Sequence, residues 1–255
     1  MKIAGLPVAS YSPSMVKLLT TAEVRALTTQ ELSSLTSSQI KNLTTLQIQA
    51  IAVERISSLS QLNSLLIDQI ISLTDGQIQN LSTNQLNSLS SAQVGAFTTS
   101  EVQAITTTQA AALSTSFVSA LNNTQIGKLD SADLALLSTS AISALKSAQI
   151  QGLSSSQISA LTTAQAASLS TTALSGLSAT QVAAMETQDL AQLSTSSIRS
   201  LTPAALAGLT TAQVSSLSND TLNALSSAQV AALTSTQLQA ITTTQAAALS
   251  TSFVS

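Results

Sequence analysis

The sequence predicts an all-α protein, a superhelical solenoid of about thirty very short helices, one for each eight-residue repeat. Three observations carry that expectation. A period of eight runs through almost the whole chain, every unit carries the residues that start a helix, and two prolines fall where a helix should begin. A repeat this strict is an architecture in itself and takes precedence over any local reading.

The reference unit is Leu209-Thr210-Thr211-Ala212-Gln213-Val214-Ser215-Ser216. Residues 1–10 (Met1 to Ser10) are irregular and read as an N-terminal cap, and residues 11–255 form the octapeptide array. From Tyr11 the first position of successive units is Leu19, Leu27, Leu35, Leu43, Ile51 and Leu59. The next unit is short: residues 59–64, Leu59-Ser60-Gln61-Leu62-Asn63-Ser64, look like the consensus without its third and fourth positions. The register resumes at Leu65 and holds to the end. The sixth position is as regular (Ile70, Ile78, Leu86, Val94, Val102, Val214), and only Ala110, Ala166 and Ala246 interrupt its large apolar character.

A single continuous helix cannot carry this period, because eight residues advance about 800° and the apolar stripe never settles on one face. A continuous strand fails too. Positions one and six would point to opposite faces, and Ala, Gln and Leu are not the residues strands favour. What fits is a helix that starts afresh in every unit. Position two is nearly always Ser or Thr, with Asn122 and Asp130 as variants, all preferred N-caps. Three residues later stands most often Gln, with Glu23, Glu101, Asp133 and Asp189 among the substitutes, and the two positions together form the capping box. Apolar positions one and six are then the residue before the cap and the fourth helical residue, the hydrophobic staple. Pro13 and Pro203 both fall at position three, the first helical residue, where proline is favoured.

Two apolar side chains and one cap do not offset the ordering of eight backbone residues, so a lone octad cannot fold. Stability must come from stacked neighbours, with small residues at position eight (Gly176, Ala224, Ala232) permitting close approach. A coil of two or three octads is the expectation. Residues 103–119 recur identically at 239–255, an offset of seventeen octads. Seventeen is divisible by neither two nor three, so a duplication that keeps the superhelix in phase implies a coil without a whole number of octads. The sequence stops within a unit at Ser255, which implies a fragment or an array continued by another molecule.

The composition excludes several function classes. Charged residues are 7% and aromatics 2%, with a net charge of −3 and no Cys or His. The eight basic residues are scattered singly, too sparse for the phosphate contacts of DNA binding. No disulfide or thiol chemistry is available, and the commonest metal ligand and general base is missing. Mean hydropathy is +0.36, but no apolar run approaches a membrane span. Lys2 followed by Ile3 to Ala9 is too short and broken, by Gly5 and Pro7, to read as a signal peptide. Asp130 with Asp133, and Glu186 with Asp189, have the spacing of paired carboxylates and read instead as capping boxes, while Asp68 and Asp75 have no partner cluster. Ser and Thr abound without a base to activate them. No catalytic, cofactor-binding or metal residue is assigned, and the chain is not expected to be an enzyme. Sequons at Asn42, Asn80, Asn122 and Asn219 are what chance supplies in so Ser/Thr-rich a sequence. Phe117 and Phe253 at position five, with Tyr11 and Phe97 at position one, read as packing variants. Lys2, Lys17, Arg25, Lys41 and Arg55 leave residues 1–55 at +2 against −5 for the rest.

Units such as Leu161-Thr162-Thr163-Ala164-Gln165 and Leu225-Ser226-Ser227-Ala228-Gln229-Val230-Ala231-Ala232 resemble the L-[ST]-x-x-Q-[VIL]-x-A octapeptide repeats of very large repetitive secreted or surface proteins of bacteria. The resemblance implies an extracellular or cell-surface structural role, as a spacer or stalk of an adhesin or the building unit of a filament, with end-to-end self-association, no nucleic acid and no membrane span. The alternative is a binding scaffold that recognises carbohydrate, ice or protein along a surface lined by Ser, Thr and Gln, for which runs such as Thr106-Thr107-Thr108 and Thr242-Thr243-Thr244 are the candidates.

Overall fold

Each octad starts a new helix because its second residue is held in extended backbone while its side chain closes the first turn. In the reference unit Thr210 has φ −75° and ψ 160°. Its Oγ1 accepts from the Gln213 backbone N–H at 3.2 Å, and Gln213 Oε1 accepts from the Thr210 backbone N–H at 2.8 Å. Both donors would otherwise be orphaned at a helix start. The helix Thr211–Ser216 follows, Leu217 returns to extended backbone, and the next cap is Ser218. In a computed structural model, which describes residues 6–254, the chain is all helical among the described residues, with twenty-nine α-helices of four to six residues and three 3-10 helices, and this local event opens most of the α-helices. Pro13 and Pro203 each stand at the first helical residue.

The chain forms two compact units, Met1–Leu121 and Asn122–Ser255. Each is a solenoid in which apolar positions one and six of the octads line the interior. Val16, Ile40, Ile78 and Leu86 in the first unit, and Ile150, Leu174 and Val214 in the second, are fully enclosed. Position one is nearly as deep, with Leu35 2% and Leu145 3% exposed. Ala110 and Ala166 stay buried at position six, so the smaller residue is accommodated without opening the core. Of the irregular stretch at residues 1–10, Val8–Ser10 forms a 3-10 turn that buries Val8, and residues 1–5 lie outside the described residues, as does Ser255.

The number of octads per coil differs from the expected two or three. Helices pack chiefly against the helix three units along, as Pro13–Lys17 does on Ser37–Asn42 and Ser155–Ser159 on Ala179–Ala184, and also four units along, as Thr83–Asn87 does on Thr115–Ala120. A coil therefore holds between three and four octads. The octad sets the length of each edge, but the angle at each corner, and hence the number of edges in a coil, is decided by how neighbouring turns seat on one another.

The shortened repeat is absorbed without loss of the core. Val53–Ser58 and Leu62–Ser64 wind as 3-10 helices, and Ile56, Leu59 and Leu62 remain buried. Two proposed capping boxes do not form. Neither Asp130 nor Glu186 makes a side-chain cap hydrogen bond, although both hold the extended cap conformation. Each is followed three residues later by an aspartate, Asp133 or Asp189, and not by the glutamine or glutamate that returns to the cap N–H elsewhere. The Asp133 side chain is one methylene shorter than the glutamine or glutamate that reaches back elsewhere.

Candidate functional site: a seam of buried position-five side chains

The glutamine at position five does more than cap its own helix. In the unit Met1–Leu121, Gln109 Oε1 accepts from the Thr106 N–H at 2.8 Å, while its Nε2 donates to the carbonyls of Ile78 at 2.8 Å and Leu81 at 2.7 Å. Those carbonyls lie 31 and 28 residues earlier, at the C-terminal end of the helix Asp75–Asn80 in the preceding turn. One primary amide thus satisfies the start of one helix and the end of another. In the unit Asn122–Ser255 the same two steps recur. Gln165 reaches Leu134 and Leu137, Gln181 reaches Ile150 and Leu153, Gln213 reaches Val182 and Met185, and Gln245 reaches Val214 and Leu217. These glutamines are buried: Gln77 is 0% and Gln229 1% exposed. They form an interior seam, and the part of the surface-binding alternative that needed exposed position-five glutamines is corrected accordingly.

The seam explains the departures from glutamine. Gln39 is the first position-five residue that reaches back to a described turn, through Val8 and Tyr11 carbonyls at 3.1 and 2.8 Å. Before it stand Glu23 and Glu31, which are less buried and accept from their cap residues, Thr20 and Thr28, at 2.9 Å. At Arg55 the guanidinium takes over the donor half, with Nη1 2.9 Å from the Leu27 carbonyl. Gln69, Gln77 and Gln85 span the shortened repeat, and their steps are 29 and 26 instead of 31 and 28, the two missing residues subtracted. Where a hydroxyl cap is missing, the amide half persists, since Leu66 N–H donates to Gln69 Oε1 at 2.7 Å and Lys146 N–H to Gln149 Oε1 at 3.0 Å.

Phe117 cannot accept from a cap, and an asparagine in the turn below takes that role. Asn87 Oδ1 accepts from the Ser114 N–H at 2.8 Å and its Nδ2 donates to the Ala112 carbonyl at 2.8 Å. The buried Phe117 ring instead packs edge-on against Phe97, with centroids 5.9 Å apart at 79°. The duplicated segment repeats the pairing, because Asn223 binds Ser250 N–H at 2.7 Å and the Ala248 carbonyl at 2.9 Å beneath Phe253. The two phenylalanines are therefore coupled substitutions, each with its own asparagine. The sequence signal was present, since Asn87 and Asn223 each stand at position seven of the octad four units before the one that holds the phenylalanine. It acquires meaning only once the turns are stacked.

Glycine at position eight marks a close approach of neighbouring turns, whether position five is glutamine, as in the octad of Gln149 and Gly152, or alanine. Ala205 and Ala173 share their octads with Gly208 and Gly176. A Cβ at Gly208 would lie 2.1 Å from the Ala179 carbonyl oxygen, and one at Gly176 would lie 2.6 Å from that of Ser147. Close approach at position eight is thus a requirement of the backbone at these two positions.

The remaining acidic residues are dispersed. Asp130 and Glu186 are exposed while their partners Asp133 and Asp189 are buried, and Asp68 and Asp75 lie on the surface. Among the described residues no group of three or more potential ligands could hold a metal ion, and no helix is long and apolar enough to cross a membrane. Glu101 and Asp189 stand in the seam with one buried carboxylate oxygen each that has no hydrogen-bonding partner, Oε1 and Oδ1. Burial pushes the Glu101 carboxyl above its ordinary value of 4.5, hydrogen bonds from Thr98 oppose the rise, and Asp75 adds to it. Thr106 and Thr242 of the threonine runs are helix caps, and Thr107, Thr108, Thr243 and Thr244 are exposed. An open groove of about 620 Å³ lies at the shortened repeat, lined by Ser37, Lys41, Gln61, Asn63 and Leu66 among others.

With this pattern established, comparison with known families has a direct reading. Three stretches of the chain match the model of the ALTTAQ repeat. They cover residues 70–107, 126–163 and 182–219. The matching stretches begin seven octads apart, each on an apolar position six (Ile70, Ile126, Val182), and seven octads are two steps of the 28-residue hydrogen bond. The ALTTAQ match thus supports a tandem repeat region. No curated protein matches the chain.

Proposed function

We propose that this chain is a structural element without enzymatic activity, a spacer or stalk in a surface adhesin or the building unit of an extracellular filament, exposed outside a bacterial cell. A structural role is what a tandem repeat supports. The observation that favours a spacer is the chemistry of the seam: Gln Nε2 donates to backbone carbonyls of the preceding turn, so no particular side chain is needed there. An octad with the start signal and a position-five glutamine finds its acceptors whatever side chains the preceding turn carries, so an array of such octads can change length with little redesign of the interface. End-to-end association of such arrays is part of the proposal, favoured by the +2 charge of residues 1–55 against −5 for the rest. A salt titration of assembly tests it, and assembly indifferent to ionic strength would remove the electrostatic component.

The test of the spacer reading is to delete or duplicate one full interval of the ALTTAQ match, the segment from Ile126 to Gln181, and image the particles. The expected result is a constant change in particle length per interval, with the remaining turns folded. A compact particle whose long dimension does not respond to the number of intervals would overturn the reading. Specific retention of one glycan or of ice crystals by the folded chain, lost on replacing exposed Thr107 and Thr243, would favour the scaffold alternative.

A further inference from the structure

We propose that Glu101 is a pH-sensitive junction, a carboxyl that takes the place of the bridging amide and holds its turn to the turn beneath only when protonated. Glu101 occupies the same place in its octad as Gln77, Gln85, Gln93 and Gln109, and it is 2% exposed. It performs the acceptor half of their task, since Oε2 accepts from the Thr98 N–H at 2.5 Å and its own N–H donates to Thr98 Oγ1 at 3.2 Å. The donor half falls to Oε1, which is enclosed without a partner.

The register states what that atom confronts. The seam steps of 31 and 28 residues lead from Glu101 to the carbonyls of Ile70 and Leu73, as they lead from Gln109 to Ile78 and Leu81. A glutamine would present two N–H groups to these acceptors. A carboxylate presents only lone pairs, whereas a carboxylic acid supplies one O–H and can donate to either carbonyl. Charged groups nearby work in the same direction. Asp75 leads the packed helix Asp75–Asn80 and accepts from the Ser100 hydroxyl at 3.0 Å, Asp68 lies on Ile67–Ile71, and neither helix carries a lysine or arginine. The carboxyl is already raised by burial, which agrees with the geometry but is not its basis.

The sign follows from linkage. The folded value lies above 4.5, so the extra stability is complete below that pH and is lost as pH rises through the folded value. Between the two, the unfolding constant of the native chain rises up to about tenfold per pH unit relative to a Glu101→Gln variant, then levels off.

The test uses the full chain. Urea unfolding of the native protein and of Glu101→Gln is followed from about pH 4 to pH 8, so that other carboxyls cancel in the comparison. The expected result is near coincidence at the acid end and a growing deficit of the native protein as pH rises, with faster amide exchange at Leu73 and Val102. A difference that stays constant across the range overturns the proposal. Carboxyl carbon NMR of Glu101 in the native chain is an independent reading that needs no variant, and a titration midpoint at or below the ordinary glutamate value overturns it equally.

Discussion

Replacing Gln213 by methionine separates the bridging role of the position-five amide from its bulk, because methionine keeps the length and the apolar stem and removes only the hydrogen bonds. Four groups lose a partner. The Thr210 N–H loses its acceptor at 2.8 Å, the Met185 carbonyl its donor at 2.7 Å, the Val182 carbonyl a donor at 3.0 Å, and the Ala183 carbonyl a long contact at 3.4 Å. The Val182 carbonyl still accepts from the Met185 N–H, so its loss is small. The Met185 carbonyl is enclosed, and an enclosed acceptor left unpaired costs about 1–3 kcal/mol. The Thr210 N–H lies at an exposed residue and recovers part of its bond from water. The substitution should therefore cost about 2–4 kcal/mol, taking about 1 kcal/mol for each ordinary bond lost. Because an array's stability is a sum over neighbouring interfaces, the effect should be local. Urea unfolding measures the total, and hydrogen exchange should show lost protection on the helices Thr211–Ser216 and Ala179–Ala184 but not on Asn123–Ile126. A change below about 0.5 kcal/mol with unaltered protection would mean that the inter-turn bonds add nothing beyond filling space.

Other expectations test separate parts of the same account. Thr210→Ala removes the acceptor of the Gln213 N–H and should cost about 1 kcal/mol by chemical denaturation, while Leu209→Ala, at a residue 5% exposed, should cost about 2–5 kcal/mol; if both are silent the register is misassigned. Gly208→Ala forces a Cβ to within 2.1 Å of the Ala179 carbonyl oxygen and should destabilise by about 1–3 kcal/mol, the reverse of the usual gain of alanine over glycine in a helix. Asn87→Ala strips the Ser114 N–H and Ala112 carbonyl of partners and should cost about 1–3 kcal/mol. A second substitution, Phe117→Gln, should recover part of that loss by restoring an acceptor in the same octad, and additive effects in the double-mutant cycle would sever the proposed coupling.

The sequence by itself determined the repeating event: Thr210 as cap, Gln213 returning to it, Leu209 and Val214 as the staple that faces the core. All of these act between residues three to five apart, and a chain of eight residues contains everything they need. Residue type matched the pattern at Asp130 and Glu186 without forming the box, since the aspartate three residues on is one methylene shorter than the side chains that return to the cap N–H elsewhere. Only the tertiary structure decided how many octads make a coil, why Arg55 stands where glutamine was expected, and why Phe117 comes with Asn87. Those answers depend on carbonyls 28 and 31 residues away, reached because each corner turns the chain by an angle that no single octad encodes. The second nitrogen-bearing half of the glutamine amide was visible in the sequence, but its partner was a backbone atom of the preceding turn. Backbone atoms are the same in every residue, so they leave no trace in sequence.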